Sequence, residues 1–510
     1  MGEVYEYTDI REDRSETVDV CVIGTGAGGA TLAYELAAAG KSVVMLEAGG
    51  YYRAKDFNQR ELEMNALLFV DGGAQAPKDG SITVLQGRCV GGSTTVNALV
   101  CFRTPDFVLE DWAANYGIEG YSTADLAPHF ARAEEILSVK ENTEIEINNN
   151  SRIFRKGCRE MGVAVAPFRR NVVACQLSGF CVQGCSYDAK QAALVTYIPR
   201  AIAAGATLYA DTEAEEILLT DGRASGVQAV MRDRRTGQPL GQLKIRSKIV
   251  ILAAGAIQTP LLLLRNKIGN SSGQVGKNLA LHPNVFVLGK FNEDIHPYRG
   301  ALMGCYSDEW MHPDKGGILI EAGFGGPAGM SVLLPGFGNP AREIMTGLKH
   351  LAGWFPLVHD KGVGEVAVGK DGKKVISYEM TPEDGEKLKF GLVRCSEIAF
   401  AAGATEVHTA FTRPLTLGSA KDVGQIDRMP TGPNDVALIS YHPQGSCRMG
   451  PDPSRAVVGL DGQAHDVPGL FITDASIFPT SVSVNTQIPT YGMATKIASG
   501  ILADDAKHFG

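Results

Sequence analysis

The sequence predicts an α/β fold in which a doubly wound nucleotide-binding unit is interleaved with a second, sheet-rich unit. Three observations carry this. A β-rich run, VDVCVI, is followed at once by Gly24-Thr25-Gly26-Ala27-Gly28-Gly29, an Ala/Leu-rich helical pattern over 30–40 and a second apolar run, SVVML, over 42–46. From 284 to 380 the pattern turns to short strands: NVFVLGKF, GILIEAGF, MSVLLPGF and a hairpin, GEVAVGKDGKKVISYE. A length of 510 residues suits about three domains or one large composite fold.

Taken in order, the first helix ends on Gly40, as a C′ residue should. Residues 111–140 read as amphipathic helix, with Ser122 or Thr123 as the cap. The polar stretch ENTEIEINNNS (141–151) reads as an exposed loop, and strands follow near 207–218, 225–233 and 248–253. The greasiest run, 248–264, is interrupted by Gly255, Gln258, Thr259 and Pro260, so it reads as strand, turn and helix rather than a membrane span. A helix over 383–402 closes the sheet-rich part and stops at Gly403.

Composition narrows the function classes. With 48 basic and 57 acidic residues the net charge is −9, which argues against nucleic acid or an anionic membrane as the main partner. Glycine is in excess, 60 residues against an ordinary ~7%, which calls for tight turns and close backbone approach to a ligand. The first 20 residues are polar, with no apolar core of a secretory signal, and Glu6 stands where a myristoylation site has Ser or Thr. A cytoplasmic protein is expected, its ten cysteines serving as thiols or metal ligands rather than a disulfide framework.

The glycine motif has a chemical reason. Gly24 permits the tight turn, Gly26 lets the backbone approach a pyrophosphate, and Gly29 lets helix and strand pack. The helix N-terminus faces the anion. Glu47, just past the second strand, can accept hydrogen bonds from ribose hydroxyls and repels a 2′-phosphate. This predicts a dinucleotide but does not separate FAD from NAD.

A second group of motifs does separate them. GRCVGGSTTVN (87–97), FRTP (102–105), GAIQTPLLLL (255–264), VGKNLALHP (275–283), HPQGSCRMG (442–450), LFITDASIFP (470–479) and VNTQIPTYGMA (484–494) resemble, in order and spacing, the glucose–methanol–choline oxidoreductases. The resemblance implies FAD in an extended cleft of a Rossmann-like domain, with a six-stranded substrate-domain sheet above the flavin, as in the p-hydroxybenzoate-hydroxylase-like architecture. It divides the chain into an FAD domain (1–110, 190–284, 436–510) and a substrate-binding cap domain (111–189, 285–435). It places Gly24, Gly26, Ala27, Gly28, Gly29 and Glu47 on the ADP half of FAD, and Arg88, Gly92 and Asn97 along the pyrophosphate and flavin. Ala214 falls beside adenine; Asp474, Ala475 and Thr486 fall near the ribityl chain, pyrophosphate and flavin. Some members tether FAD through a His just before the residue matching Asn97; Val96 stands there, so dissociable FAD is expected.

The implied chemistry is oxidation of an alcohol to a carbonyl, with a base for the hydroxyl proton and hydride transfer to flavin N5. His442, in HPQGSCRMG, matches the catalytic histidine, and Asn485 matches the second active-site position. The apolar stretches GILIEAGFGGPAGMSVLLPGF and TGLKHLAGWFPLV tilt the substrate toward a hydrophobic alcohol over a sugar. A lyase or light-driven decarboxylase on the same scaffold is the rival reading.

Cys175, Cys181 and Cys185 form a C-x5-C-x3-C cluster in a Cys-rich insert at 175–185. It resembles the insert of iron–sulfur sugar dehydrogenases of that family, implying a 3Fe-4S cluster, and GCSYDAKQ (184–191) also resembles long-chain alcohol oxidases. Zinc with a distant ligand such as Cys158, a local disulfide, and plain thiols remain alternatives. With a cluster, electrons would pass singly to an external carrier, a cytochrome or a small subunit, and export with a signal-bearing partner would become an alternative location. Without it, dioxygen could take them.

Overall fold

The computed structural model describes residues 2–334 and 338–510. Its larger sheet has eight strands, in the spatial order Val4–Tyr5, Thr207–Tyr209, Val43–Leu46, Arg14–Ile23, Pro239–Leu252, Arg223–Arg232 and Thr212–Thr220, with Leu470–Ile472 pairing beside Pro239–Leu252. The first five and the Leu470–Ile472 strand are parallel; the last two are antiparallel. Both faces of the parallel centre are covered, so Val20–Ile23, Val43–Leu46 and 249–252 are buried residue after residue. That is why they read as continuous apolar runs rather than alternating ones. The helix Ala27–Ala38 springs from the Gly24–Gly26 loop and packs against the C-terminal helix Gln487–Ala503, which is buried over most of its length.

The second sheet has seven strands, ordered Thr416–Leu417, Glu406–Thr409, Val287–Lys290, Leu351–Val358, Ile318–Gly323, Met303–Ser307 and Ala166–Pro167. The expected sheet had six; the outermost strands here are only two residues long. Alternation along its strands sends Ile318, Ile320 and Ala322 into a core with the helices Asn149–Glu160 and Pro382–Ala402, while Glu321 turns the other way. Glu321 pairs opposite Phe355, and both side chains line the central cavity. Trp354, one residue earlier, packs on Phe154 of the helical layer, ring centroids 5.5 Å apart.

Three local readings change. The stretch 141–151 is not an exposed loop: Asn148 caps the helix Asn149–Glu160, and Asn142, Asn150 and Ser151 are buried. Its polarity serves backbone groups inside the protein. Asn142 donates to the carbonyls of Met303 and Gly304, and Asn150 exchanges two hydrogen bonds with the backbone of Gly353. The region 111–140 is two helices, Asp106–Tyr116 and Thr123–Ile136, separated at Gly117, whose φ of 68° stops the first. Ser122 caps the second by a capping box with Asp125. The MSVLLPGF segment holds no strand in its described part: Pro327–Ser331 is a short helix, with its Ala328 N–H held by the Glu61 carboxylate at 2.7 Å. Residues 335–337 of that segment lie outside the described residues. Among the described residues, no helix is long and apolar enough to cross a membrane.

Candidate active site

A single cavity of about 1090 Å³ runs from the glycine loop of the large sheet to the inner face of the second sheet. At one end, Gly24 N–H donates to the Leu46 carbonyl at 2.8 Å and adopts φ +94°, which turns the chain from strand into helix. The next glycines divide the labour. A Cβ on Gly26 would meet no protein atom within 4 Å, whereas one on Gly28 would lie 2.0 Å from the Thr473 carbonyl and one on Gly29 2.0 Å from that of Gly24. Gly26 thus opens to the cavity, and Gly29, which does not line it, permits packing. Glu47 is buried, with its carboxylate accepting from Thr25 N–H, Thr25 Oγ1 and Gly49 N–H. Three of roughly four acceptor positions are used, leaving room for one more donor from the cavity.

The structure brings the other expected nucleotide residues to the same wall. Gly24, Ala27, Gly28, Arg88, Gly92, Asn97 and Ala214 line it, as do Asp474, Ala475 and Thr486. Asp474 is buried and accepts from Gly255 N–H (2.8 Å), Thr259 Oγ1 (2.5 Å) and Ser476 N–H (2.8 Å), so it ties its own turn to the start of the helix Gly255–Asn266. Asn97 donates to Gln487 at 2.8 Å, fastening its segment to the C-terminal helix. An elongated cavity with a glycine loop at one end and backbone on both sides fits a dinucleotide such as FAD.

At the other end His442 follows the strand Leu438–Ser440, and Asn485 precedes the helix Gln487–Ala503. Gln444 laces the two segments by accepting from Val482 N–H at 3.0 Å. Asn485 Nδ2 stands 3.4 Å from His442 Nε2. Burial pushes His442 down to about 4, so its ring is neutral near pH 7 and has a lone pair to offer. Glu321 was not singled out from sequence, although a lone carboxylate inside GILIEAGF is a usable signal. It is 1% exposed, and burial raises it to about 8, opposed by the Asn485 amide. It therefore stands protonated at neutral pH beside the catalytic candidates. The surrounding walls are Phe286, Leu302, Met303, Phe324, Met330 and Phe355. Leu62 and Val332, 75% and 76% exposed, also line the cavity.

The cysteine cluster departs from one expectation. Cys175, Cys181 and Cys185 are free thiols packed on Leu99, Val172 and Ala189, and burial raises Cys181. Among the described residues no three His, Cys, Asp or Glu side chains gather as a metal-binding group. This geometry lends no support to a 3Fe-4S cluster or zinc, and Cys158 lies in a different core, with Phe154 and Trp354. Just past the insert stands Lys190, 3% exposed, which donates to the carbonyls of Thr95, Asn97 and Cys181 at 2.8, 2.7 and 2.6 Å. It ties the Cys loop to the Gly92–Asn97 wall.

Comparison with known proteins gives four findings. The N-terminal and C-terminal models of GMC oxidoreductase match residues 65–284 and 366–494. An uncharacterized GMC-type oxidoreductase of Mycobacterium tuberculosis is 32% identical, over 95% of this chain and 76% of its own. Long-chain-alcohol oxidase FAO4A of Arabidopsis thaliana is 30% identical, over 95% of this chain and 68% of its own. Among solved structures, pyridoxine 4-oxidase from Mesorbium loti has the same fold, with a TM-score of 0.70 at 19% identity over 95% of this chain and 99% of its own.

Proposed function

Since the chain belongs to the GMC oxidoreductase family, and is thus an FAD-dependent oxidoreductase acting on CH–OH donors, we propose that it oxidises a hydrophobic primary or secondary alcohol to an aldehyde or ketone. The observation that carries this reading is the pair His442 and Asn485 at the end of an apolar cavity. Bound FAD supplies the two-electron, hydride-accepting chemistry.

The chain's own residues do the rest. Nε2 of neutral His442 takes the hydroxyl proton as the C–H bond is broken. The Asn485 amide donates to the substrate oxygen as negative charge develops there, and so holds the carbinol carbon in one orientation. Phe286, Phe324 and Phe355 shelter the chain of the alcohol from water, and the exposed Leu62 and Val332 give it an apolar entry. The nucleotide-facing residues Gly24, Gly26, Glu47, Arg88, Gly92, Asn97, Ala214 and Asp474 hold FAD without a covalent bond, Val96 offering no nucleophile. Electrons leave for an acceptor taken from solution; the long-chain-alcohol oxidase relatives support dioxygen as the first to test.

The test is anaerobic mixing of the yellow holoprotein with 1-decanol in the dark. Bleaching of the flavin with formation of decanal is the expected result. Bleaching by underivatised hexoses but not by fatty alcohols would overturn the substrate class, and no bleaching by any alcohol would overturn the reaction in favour of a lyase or decarboxylase. Readmitting air separates oxidase from dehydrogenase by the rate at which the yellow colour returns.

A further inference from the structure

Beside the catalytic candidates, several buried polar atoms stand without partners. Nδ1 of His442, both ring nitrogens of His282 and both amide atoms of Asn284 are enclosed and unpaired. His282 and Asn284 are both 0% exposed. Buried polar groups left like this are costly unless an internal water joins them. The rings of His282 and His442 are tilted at 49° with centroids 5.3 Å apart. No direct hydrogen bond joins them, and a water bonded to one nitrogen of each ring would satisfy both.

His282 is also held in place at some cost. It is a non-glycine residue at φ +54°, in the left-handed region. The Asp360 carboxylate accepts from the N–H groups of Leu281 (2.9 Å) and His282 (3.2 Å) and from the Tyr378 hydroxyl (2.9 Å), which over-determines that backbone. Strained residues kept by such a frame concentrate where function needs a fixed side chain. The mechanism above leaves this imidazole unused.

We propose that His282 is a positioning residue which, through one internal water, holds the proton of neutral His442 on Nδ1 and so keeps Nε2 free as the base facing the cavity. The inference rests on the alcohol-oxidising reading of the same site. In neutral imidazole one nitrogen donates and the other accepts, so whatever occupies Nδ1 decides what Nε2 can do. The buried water accepts from Nδ1–H of His442 and donates to a ring nitrogen of His282. If the proton moved to Nε2, that nitrogen would donate toward the substrate oxygen and could not receive its proton.

The test compares His282→Leu and His282→Gln with the unmodified holoprotein. Nitrogen-15 spectra of the histidine side chains in the wild type should show His442 as a single neutral Nδ1–H tautomer, a readout that needs no turnover. His282→Leu should convert it to a mixture and slow flavin reduction by 1-decanol about tenfold or more, with bound flavin unchanged. His282→Gln, whose amide can still meet the water, should stay within about threefold of wild type. A wild-type His442 with its proton on Nε2 would overturn the proposal even if His282→Leu failed to fold. So would His282→Leu reducing flavin at the wild-type rate. If the wild type is not bleached by any alcohol, the reaction reading fails, while the spectra still decide the tautomer.

Discussion

Asn485 Nδ2 lies 3.4 Å from Nε2 of His442 across the end of a cavity that both residues line. For the amide to donate here, Nε2 must accept, so the pair presents a lone pair and a donor to the same small volume. An alcohol needs both: a base for its proton and a partner for its oxygen.

Replacing His442 by Ala should leave flavin content intact and slow flavin reduction by alcohol about 10²–10⁴-fold, the range for loss of a general base. Stopped-flow absorbance at the flavin band measures it. Unchanged reduction would remove His442 from the mechanism.

The pH dependence follows from the burial of His442. With its value depressed to about 4, the ring is neutral above that pH and protonated below it. Flavin reduction should be level from pH 5 to 7 and fall about tenfold per unit below pH 4. An acid limb centred near 6.5 would show that the base is a solvent-exposed histidine instead.

Glu321 gives stability its own pH dependence. Folding raises its carboxyl from the ordinary 4.5 to about 8, so the folded state prefers the neutral form. Its contribution to stability is present at low pH and is lost as pH rises through about 8. Glu321→Gln, a neutral mimic, should flatten the fall in melting temperature between about pH 5 and 8 and keep flavin reduction within about threefold of wild type at pH 7. Thermal melts of both proteins across that range decide it.

The glycine loop separates binding from folding. Gly26→Val places atoms in open space, so the protein should fold normally and be isolated without flavin. Gly28→Ala drives a Cβ to within 2.0 Å of the Thr473 carbonyl and should cost about 1–3 kcal/mol of stability. Flavin absorbance per protein and chemical denaturation distinguish the two.

Denaturing the wild-type holoprotein in acid should release all of its flavin to the supernatant, because Val96 cannot form a bond to it. Yellow colour retained on the precipitated chain would reverse that assignment.

Most of the nucleotide end was legible in the chain because its logic is local. VDVCVI, the Gly24–Gly29 loop, the Ala/Leu helix and SVVML are consecutive, and each glycine answers a steric demand set by near neighbours. The position of His442 was legible only through the likeness of HPQGSCRMG to a known family, since one histidine among ten carries no signal by itself. The polar run 141–151 is not legible as buried, because Asn and Glu ordinarily seek solvent. Asn142 and Asn150 instead satisfy backbone groups of strands more than 150 residues away.

The sequence alone therefore determined the fold class and, through contiguous motifs that resemble one family, the cofactor class and the two side chains proposed as catalytic. The tertiary structure decided what surrounds them. Strand alternation and register turn Glu321 toward the cavity opposite Phe355, and His282 comes within 5.3 Å of His442 although 160 positions separate them. It also leaves Cys175, Cys181 and Cys185 packed as thiols on Leu99 and Val172, though their spacing alone suited a metal. Burial and long-range pairing set these environments, and neither is a property of a segment.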